Sequence, residues 1–145
     1  MPSPIEDSTL SVVARQALEH QPFSRLLGTT LENIEPGHAE IHLPVTSELL
    51  QQHGYVHGGV IAYLADNAMA FAAGSVLGDA VTLEFKINYL RPAKGASSLT
   101  ALAQVEACGR RTAVVRCEIS AEIANDWRRI ALAQGTIQAP EGERS

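Results

Sequence analysis

The 145 residues of this sequence allow one domain with a single substantial core. With 46% hydrophobic and 19% charged residues, the chain is too apolar to be disordered. Its net charge of −5, without a basic patch, argues against a nucleic-acid surface. The N-terminal segment lacks the basic start and continuous apolar core of a signal peptide, so we expect a cytoplasmic protein.

The first predicted element is an amphipathic helix over about 9–19. Ser8 and Thr9 precede apolar residues at helical spacing, and we expect Pro22 to end this segment. Two short strands are predicted between 29 and 45, separated by the turn "EPGH". Apolar and polar residues alternate in the second of them, "AEIHLPV", as is typical of a half-buried strand.

A long apolar segment over about 58–76 is predicted to be a helix, closed by Gly78. It approaches the length of a membrane span, but it contains Asp66 and Asn67 and is preceded by glycines rather than basic anchors. A buried helix of a soluble protein is therefore the favoured interpretation, with no membrane partner.

Four strand-like segments follow, and the first is "AVTLEFKINYL". Its alternation predicts that Val81, Leu83, Phe85 and Ile87 share one face. The short polar separators between segments favour an antiparallel meander. We therefore predict an α+β fold, a single domain over 1–145 in which the sheet wraps the long helix. Since one sheet covers only part of a helix that is apolar on nearly every side, a second subunit is implied.

The two cysteines, Cys108 and Cys117, have neither metal-ligand spacing nor a secretory context. If a hairpin joins their segments the two thiols lie near each other, but reduced thiols in the core are the favoured interpretation. The histidines also lack metal-ligand spacing, so no metal site is expected.

The sequence "HGG", His57 to Gly59, opens the long helix. A helix N-terminus offers unpaired backbone N–H groups and a partial positive charge, and glycines let a ligand oxygen approach the amides of Gly58 and Gly59. Such a terminus stabilises a carboxylate, a phosphate or an oxyanion. A plain turn capped by His57 explains the same three residues, so both interpretations stay open at this point.

Asp66 is a lone acid in an otherwise apolar helix, and an isolated buried charge is costly. A structural carboxylate bonded to a neighbouring loop is the alternative to a catalytic one. Asp66 follows Gly58 by eight residues, which is roughly 12 Å along a helix. If both serve one reaction, Asp66 must therefore meet the "HGG" end of another copy. Two helices packed antiparallel about a two-fold axis give two such sites.

The segments "LLQQHGYVHGGVIAYLADNAMA" and "AVTLEFKINYLRPAKG" closely resemble the hotdog-fold thioesterases of the phenylacetate-degradation (PaaI-like) type. The resemblance covers roughly Leu26 to Gln138. Its joint pattern is a polar residue six positions before the His, then His-Gly-Gly, an acid nine positions after the His, and a strand that ends in "YLRPA".

The resemblance implies roles for five residues. Asp66 matches the carboxylate that acts as general base or nucleophile toward the thioester carbonyl. Gly58 matches a backbone N–H that polarises the carbonyl oxygen, and His57 matches a histidine that positions the thioester. Gln51 matches a side-chain amide that contacts the carbonyl or the water, where some relatives have Asn. Thr82 falls where a hydroxyl in some relatives orients the water near the acid.

Further residues are expected to bind substrate. Four cations lie in or beside polar turns, where the coenzyme A nucleotide lies in such folds, although solvated turn residues are an equal alternative. Three residues of the long helix, Gly59, Tyr63 and Asn67, are also expected to contact substrate. The full substrate-binding set is Gly59, Tyr63, Asn67, Arg91, Lys94, Arg110 and Arg111.

The leading expectation is an acyl-CoA thioesterase for small, medium-chain or aromatic acyl groups, with no metal or redox cofactor. A non-catalytic binder of acyl-CoA or a related ligand is the alternative. A hotdog dehydratase is not favoured, because this sequence lacks the His–acid motif that such an enzyme uses. A homodimer is the expected minimum, and the resemblance implies a homotetramer built as a dimer of dimers.

Overall fold

The computed structural model describes residues 8–140. Its helices are α1 (Thr9–Glu19), α2 (Pro22–Leu27) and α3 (Gly58–Leu77), with a 3₁₀ turn at Ser47–Leu49. Its strands are β1 (Thr30–Glu35), β2 (His38–Pro44), β3 (Val81–Tyr89), β4 (Ala96–Cys108), β5 (Thr112–Ile123) and β6 (Asp126–Gln138).

The six strands form one antiparallel sheet in the order β1-β2-β4-β5-β6-β3. The helix α3 packs against all six strands, and α1 lies against β1. The predicted α+β architecture, an antiparallel sheet around a long central helix, is confirmed. Two strands, β1 and β3, lie at the edges of the sheet. The predicted single domain over 1–145 includes residues 1–7 and 141–145, which lie outside the described part.

The helix α3 is long and apolar enough to cross a membrane by length and composition alone. Its central residues, however, fill the protein core: Leu64, Ala65, Ala68, Met69 and Ala72 are fully buried. The helix ends at Gly78, whose φ of 80° is readily adopted by glycine. In the described chain α3 is therefore the core helix, as the sequence predicts.

The expectation that Pro22 ends the first helical segment is incomplete. The helix α1 ends at Glu19, and Pro22 instead begins a second short helix, α2, at its first position. Proline suits that position because the N–H that it lacks would have no partner in the first turn. The short helix α2 ends at Gly28, in the left-handed conformation with φ 78°.

The prediction that alternate residues of β3 share one face is wrong for the first half of the strand. A bulge between Thr82 and Glu84 interrupts the pairing with β6. The extra residue lets Thr82 and Phe85 both face α3, although they are three positions apart. Val81 and Leu83 consequently lie outside, 53% and 54% exposed. Ile87, in the second half, packs against the core as predicted.

The two cysteines are free, but only one belongs to the core. Cys117 is fully buried on β5, whereas Cys108 at the end of β4 is exposed, so the expectation of two core thiols is wrong for Cys108. The register pairs Cys117 with Ala103 and Cys108 with Ala113, so the hairpin does not bring the thiols together. Burial, and secondarily the Glu118 carboxylate, raises the pKa of Cys117 from 9.0 to about 12.

Candidate active site

The first turn of α3 is capped by His57. The His57 Nδ1 accepts a hydrogen bond of 2.8 Å from the Gly59 N–H, and the Val60 N–H donates to the His57 carbonyl at 2.9 Å. Both open interpretations of "HGG" therefore apply in part. The cap uses the Gly59 amide, which corrects the expectation that this amide faces a ligand. The Gly58 N–H takes no partner within residues 8–140, so it stays available.

The cap also orients the imidazole ring of His57. Because Nδ1 is the acceptor, the neutral ring carries its proton on Nε2. The ring is exposed, so this second N–H is accessible from solvent. The His57 side chain thus orders the helix start and presents a donor beside it.

Gln51 lies in a loop that is tied back on itself and to the helix start. Its backbone N–H donates to the Tyr55 carbonyl at 2.8 Å, and the His57 N–H donates to Leu49 at 2.9 Å. The side-chain Oε1 of Gln51 accepts a hydrogen bond from the His53 N–H. With Oε1 occupied, the Nε2 group is the part of the Gln51 amide that is left to donate to a ligand.

Tyr89 is a residue of this region that the sequence analysis missed. Its hydroxyl, at the end of β3, donates to the Gly58 carbonyl at 2.9 Å. A Cβ at position 58 would meet the Tyr89 ring at 3.4 Å, so glycine permits this close approach. A cavity of about 350 Å³ is lined there by Gln51, Gly58, Tyr89 and Arg91 among others. The "YLRPA" pattern contains Tyr89, but its contact depends on how β3 packs against α3.

The carboxylate of Asp66 lies on the opposite part of α3. It is half-buried rather than buried, and the Thr82 hydroxyl donates to its Oδ1 at 2.7 Å. The Oδ2 atom takes no hydrogen bond within the described residues. The expected neighbourhood of Asp66 and Thr82 is present, and the Asp66 charge has both solvent access and a polar partner.

The two parts of the candidate site lie apart in one chain. Thr82 contacts Asp66 and Tyr89 contacts Gly58, so β3 and α3 run antiparallel and touch at both places. The eight residues from Gly58 to Asp66 lie within the continuous helix α3, which separates them by roughly 12 Å along its axis. Within a single chain, the free amide and the carboxylate therefore do not face one common point.

Two of the expected substrate-binding residues on α3 belong to a buried polar network. The Tyr63 hydroxyl lies 2.5 Å from Ser24 Oγ and 2.9 Å from Thr29 Oγ1. The Asn67 Nδ2 donates to Ser24 and to Tyr63, at 3.3 Å each. The Tyr63 ring also meets Phe23 edge-on, at 5.0 Å between centroids. Tyr63 thus fixes α2 on α3, and its hydroxyl is engaged inside the protein.

The four expected cations fall into two groups. Arg91 and Lys94 lie in the loop that follows β3, beside the cavity at Gly58, and Lys94 Nζ lies 5.8 Å from the Tyr55 ring centroid. Arg110 and Arg111 lie in the turn between β4 and β5. The 13 residues of β4 separate the two groups, a span of about 40 Å.

The pairing register places the second cation group near Thr82. Val81 pairs with Gln138, which pairs in turn with Thr112, the first residue after this turn. Two strand spacings, roughly 10 Å, separate the turn from the start of β3. Each end of the sheet thus carries one part of the candidate site and one pair of cations. Within residues 8–140, no three His, Cys, Asp or Glu side chains are grouped to hold a metal ion.

The sequence matches known proteins over most of its length. A family model described as the thioesterase superfamily matches residues 53–125. The acyl-coenzyme A thioesterase PaaI of Escherichia coli (strain K12) is 33% identical over 122 residues, which cover 84% of this chain and 85% of that protein.

Solved structures agree with this match. A thioesterase family protein from Silicibacter pomeroyi has a TM-score of 0.87 at 31% identity, over 92% of this chain and 99% of its own. The PaaI protein from the phenylacetic acid degradation operon of E. coli has a TM-score of 0.84 at 31% identity, and the match covers 93% of this chain and 96% of the PaaI chain. The hotdog fold expected from the resemblance is thereby confirmed.

Proposed function

This chain belongs to the thioesterase superfamily and is a thioester hydrolase with the hotdog fold, and from that premise we propose that it hydrolyses acyl-coenzyme A thioesters with small, medium-chain or aromatic acyl groups. The E. coli relative, an acyl-coenzyme A thioesterase, supports the choice of coenzyme A as the thiol. The observation that carries the proposal is the Thr82 hydrogen bond to Asp66 Oδ1, which leaves Oδ2 without a hydrogen bond among the described residues.

The start of α3 supplies the donors that the reaction needs. Attack on the thioester carbonyl develops negative charge on its oxygen, and preorganised N–H groups aimed at that oxygen stabilise it. The unpaired Gly58 N–H is the principal donor, at the positive end of the helix dipole. Gln51 lines the same cavity as Gly58 and His57 directly precedes it, and we assign their Nε2 groups to hold the carbonyl or the attacking water.

Asp66 activates the attack in one of two ways. As a general base it accepts a proton from water while the oxygen of that water bonds to the carbonyl carbon. The C–S bond then breaks, and the proton passes to the coenzyme A thiolate. As a nucleophile its Oδ2 bonds to the carbonyl carbon and expels the thiolate, and water hydrolyses the resulting anhydride. Thr82 fixes Oδ1 in both cases, so Oδ2 faces the reaction.

Two copies of the chain complete each site in this proposal. The Asp66 of one copy meets the Gly58 of the other when two α3 helices pack antiparallel about a two-fold axis. The half-exposed carboxylate and the free edge of β3, with Val81 and Leu83 exposed, favour such a contact. A homodimer is therefore the minimum, and a homotetramer is a dimer of such dimers. A strictly monomeric enzyme with full activity would overturn this arrangement.

The same symmetry gathers the cations into one region. The end of the sheet that holds Asp66 also carries Arg110 and Arg111, and the start of α3 lies beside Arg91 and Lys94. When the second copy brings its Asp66 to Gly58, both pairs of cations approach one site. Guanidinium and ammonium groups bind phosphates well, so we assign the coenzyme A phosphates to this region.

Release of free thiol from a panel of acyl-CoAs tests the proposed function. We expect rapid release from at least one short, medium-chain or aromatic member. Because Cys108 is exposed and Cys117 is buried, a Cys108→Ser background removes the accessible thiol of the protein from the assay. Calorimetric binding of acyl-CoA without any thiol release would instead favour the non-catalytic binder.

A further inference from the structure

Gly135 lies in the interior of β6, and within residues 8–140 it is the only glycine inside a strand. A glycine weakens a strand because it has no side chain to pack, and it often marks a place where another backbone approaches closely. Gly135 is buried, as are Ala133 and Ile137 on the same face of β6. The space beside Gly135 must therefore be filled by another part of the chain.

The neighbouring strand β3 fills this space. A Cβ at position 135 would lie 2.7 Å from the Glu84 carbonyl oxygen, 2.7 Å from the Phe85 Cβ and 3.3 Å from the Phe85 Cα. Non-bonded carbon atoms pack at roughly 3.5–4.0 Å. These atoms belong to the main chain of β3 or are directly attached to it, so no side-chain rotation relieves the contact. A side chain at position 135 and the observed place of β3 exclude each other.

This close approach lies beside the bulge that turns Thr82 toward α3. Gly135 pairs with Phe85, and the next pair, Thr136 with Glu84, borders the bulge. Thr82 lies on the other side of the bulge, only three residues from Phe85. Any displacement of β3 at Gly135 is therefore transmitted to Thr82.

A displacement of β3 would also change its position relative to Asp66. The edge strand β3 pairs with β6 alone, whereas α3 packs most extensively against β4 and β5 and would not follow it. Restoring normal packing distances to a Cβ at position 135 requires a shift of roughly 1 Å. The Thr82–Asp66 hydrogen bond is 2.7 Å long, and O–H···O bonds span only about 2.5–3.0 Å. Such a shift would break this bond.

We propose that Gly135 is a positioning residue for the carboxylate of the active site. Because it has no side chain, β3 approaches β6 closely enough for the Thr82 hydroxyl to hold Asp66 Oδ1. Gly135 acts through Thr82 and does not contact the substrate. The inference rests on the proposed thioesterase function and adds a third residue to the Asp66–Thr82 pair.

Gly135→Ala is the first test. We expect kcat to fall about tenfold, as for the loss of the Thr82 hydroxyl itself. The KM should stay at the parent value, because the start of α3 is unchanged. The matched control is Thr136→Val, which removes the 2.6 Å hydrogen bond from Thr136 Oγ1 to Glu84 Oε1 between the same two strands but adds nothing at position 135. It should keep the parent kcat. A Gly135→Ala protein with the parent kcat would overturn the inference.

A double-mutant cycle shows whether Gly135 acts through Thr82. In a Thr82→Val background the hydrogen bond is already absent, so Gly135→Ala should lower kcat no further. Independent effects would instead multiply to about a hundredfold loss, and that result would reject the positioning role. In a crystal structure of Gly135→Ala, the distance from Thr82 Oγ1 to Asp66 Oδ1 should exceed that of a hydrogen bond.

Circular dichroism checks the fold of each variant, and light scattering checks its assembly. A loss of kcat that follows dissociation, and not the loss of the Thr82 contact, overturns the inference. Should Gly135→Ala not fold, the same cycle is measured in a Glu84→Gly background. Glycine lets the exposed bulge turn its carbonyl away, while the Phe85 Cβ still forces β3 to move. An unchanged kcat on adding Ala at position 135 there would again overturn the inference.

Failure of this inference differs from failure of the proposed function. If the parent protein releases no thiol from any acyl-CoA, the proposed function is wrong. If the parent protein releases thiol and Thr82→Val is impaired, but Gly135→Ala is not, only the role of Gly135 is wrong.

Discussion

The start of α3 and the Asp66–Thr82 pair supply opposite halves of the proposed chemistry, and the chain builds them in different ways. The side-chain contacts at the start of α3 are local, since Gln51 bonds to His53 and His57 bonds to Gly59, each two residues away. The Asp66–Thr82 contact joins a helix to a strand across 16 residues and depends on the bulge in β3. Oxyanion donors can thus be encoded in one loop, whereas an oriented carboxylate needs tertiary packing.

The largest expected effect tests the carboxylate half. Asp66→Asn keeps the side-chain shape but removes the base or nucleophile, so we expect kcat to fall about 10³-fold. The thiol-release assay measures this directly. Asp126→Asn, at an exposed aspartate whose nearest cation Arg128 lies 3.8 Å away, is the matched control and should stay at the parent rate. Near-normal turnover of Asp66→Asn would exclude the mechanism.

Mixing two inactive variants tests whether the two halves come from different chains. Coexpressed Asp66→Asn and Gly58→Pro chains form mixed dimers in which one site holds both intact halves. Random pairing of the chains then predicts recovery of about a quarter of the parent activity. If both halves belong to one chain, the activity of the mixture stays at the mean of the activities of the two variants.

Gly58→Pro tests the donor half by itself. Proline removes the N–H, and it is tolerated at the first position of a helix after an extended residue, which His57 is at φ −59° and ψ 133°. We expect kcat to fall about 10²-fold. Gly58→Ala places the same Cβ against Tyr89 but retains the N–H. Equal losses in the two variants would assign the effect to steric contact and not to the amide.

Thr82→Val should have a smaller effect on the carboxylate half. The substitution keeps the shape but removes the hydrogen bond to Asp66, and a bond to a charged group of this kind corresponds to about a tenfold change in kcat. Thr82→Ser retains the hydroxyl and should remain near the parent rate. A Val variant as active as the Ser variant would show that Asp66 needs no orientation from β3.

Tyr89→Phe should have the smallest effect, on the donor half. It removes the hydroxyl that donates to the Gly58 carbonyl but leaves the Gly58 N–H free. We expect kcat to change less than about fivefold, in keeping with one neutral hydrogen bond. A loss as large as that of Gly58→Pro would mean that Tyr89 itself contacts the substrate.

The sequence predicted best what local patterns determine. The long apolar run and its closing glycine indicate α3, and "HGG" indicates the helix start with its capping histidine. The proposed donor at Gly58 and the proposed acid at Asp66 come from this spacing and from the resemblance, and their roles stay predictions. These features depend on residues that are close in the chain.

Features that depend on long-range packing were missed or wrong. The alternation in β3 placed Val81 and Leu83 on the same face as Phe85 and Ile87, because a bulge leaves no clear signal in an apolar strand. Tyr89 was missed because its partner, Gly58, lies 31 residues away. The exposed position of Cys108 likewise depends on where β4 leaves the core.

The antiparallel contact of β3 with α3 has a kinetic consequence. Thr82 and Tyr89 lie on one strand, yet in the proposed dimer they serve two different sites. A substrate that shifts Tyr89 at one site therefore also moves the strand that holds Asp66 for the other. Such linkage is reciprocal, so the dimer should saturate non-hyperbolically, with the first bound thioester changing the affinity for the second.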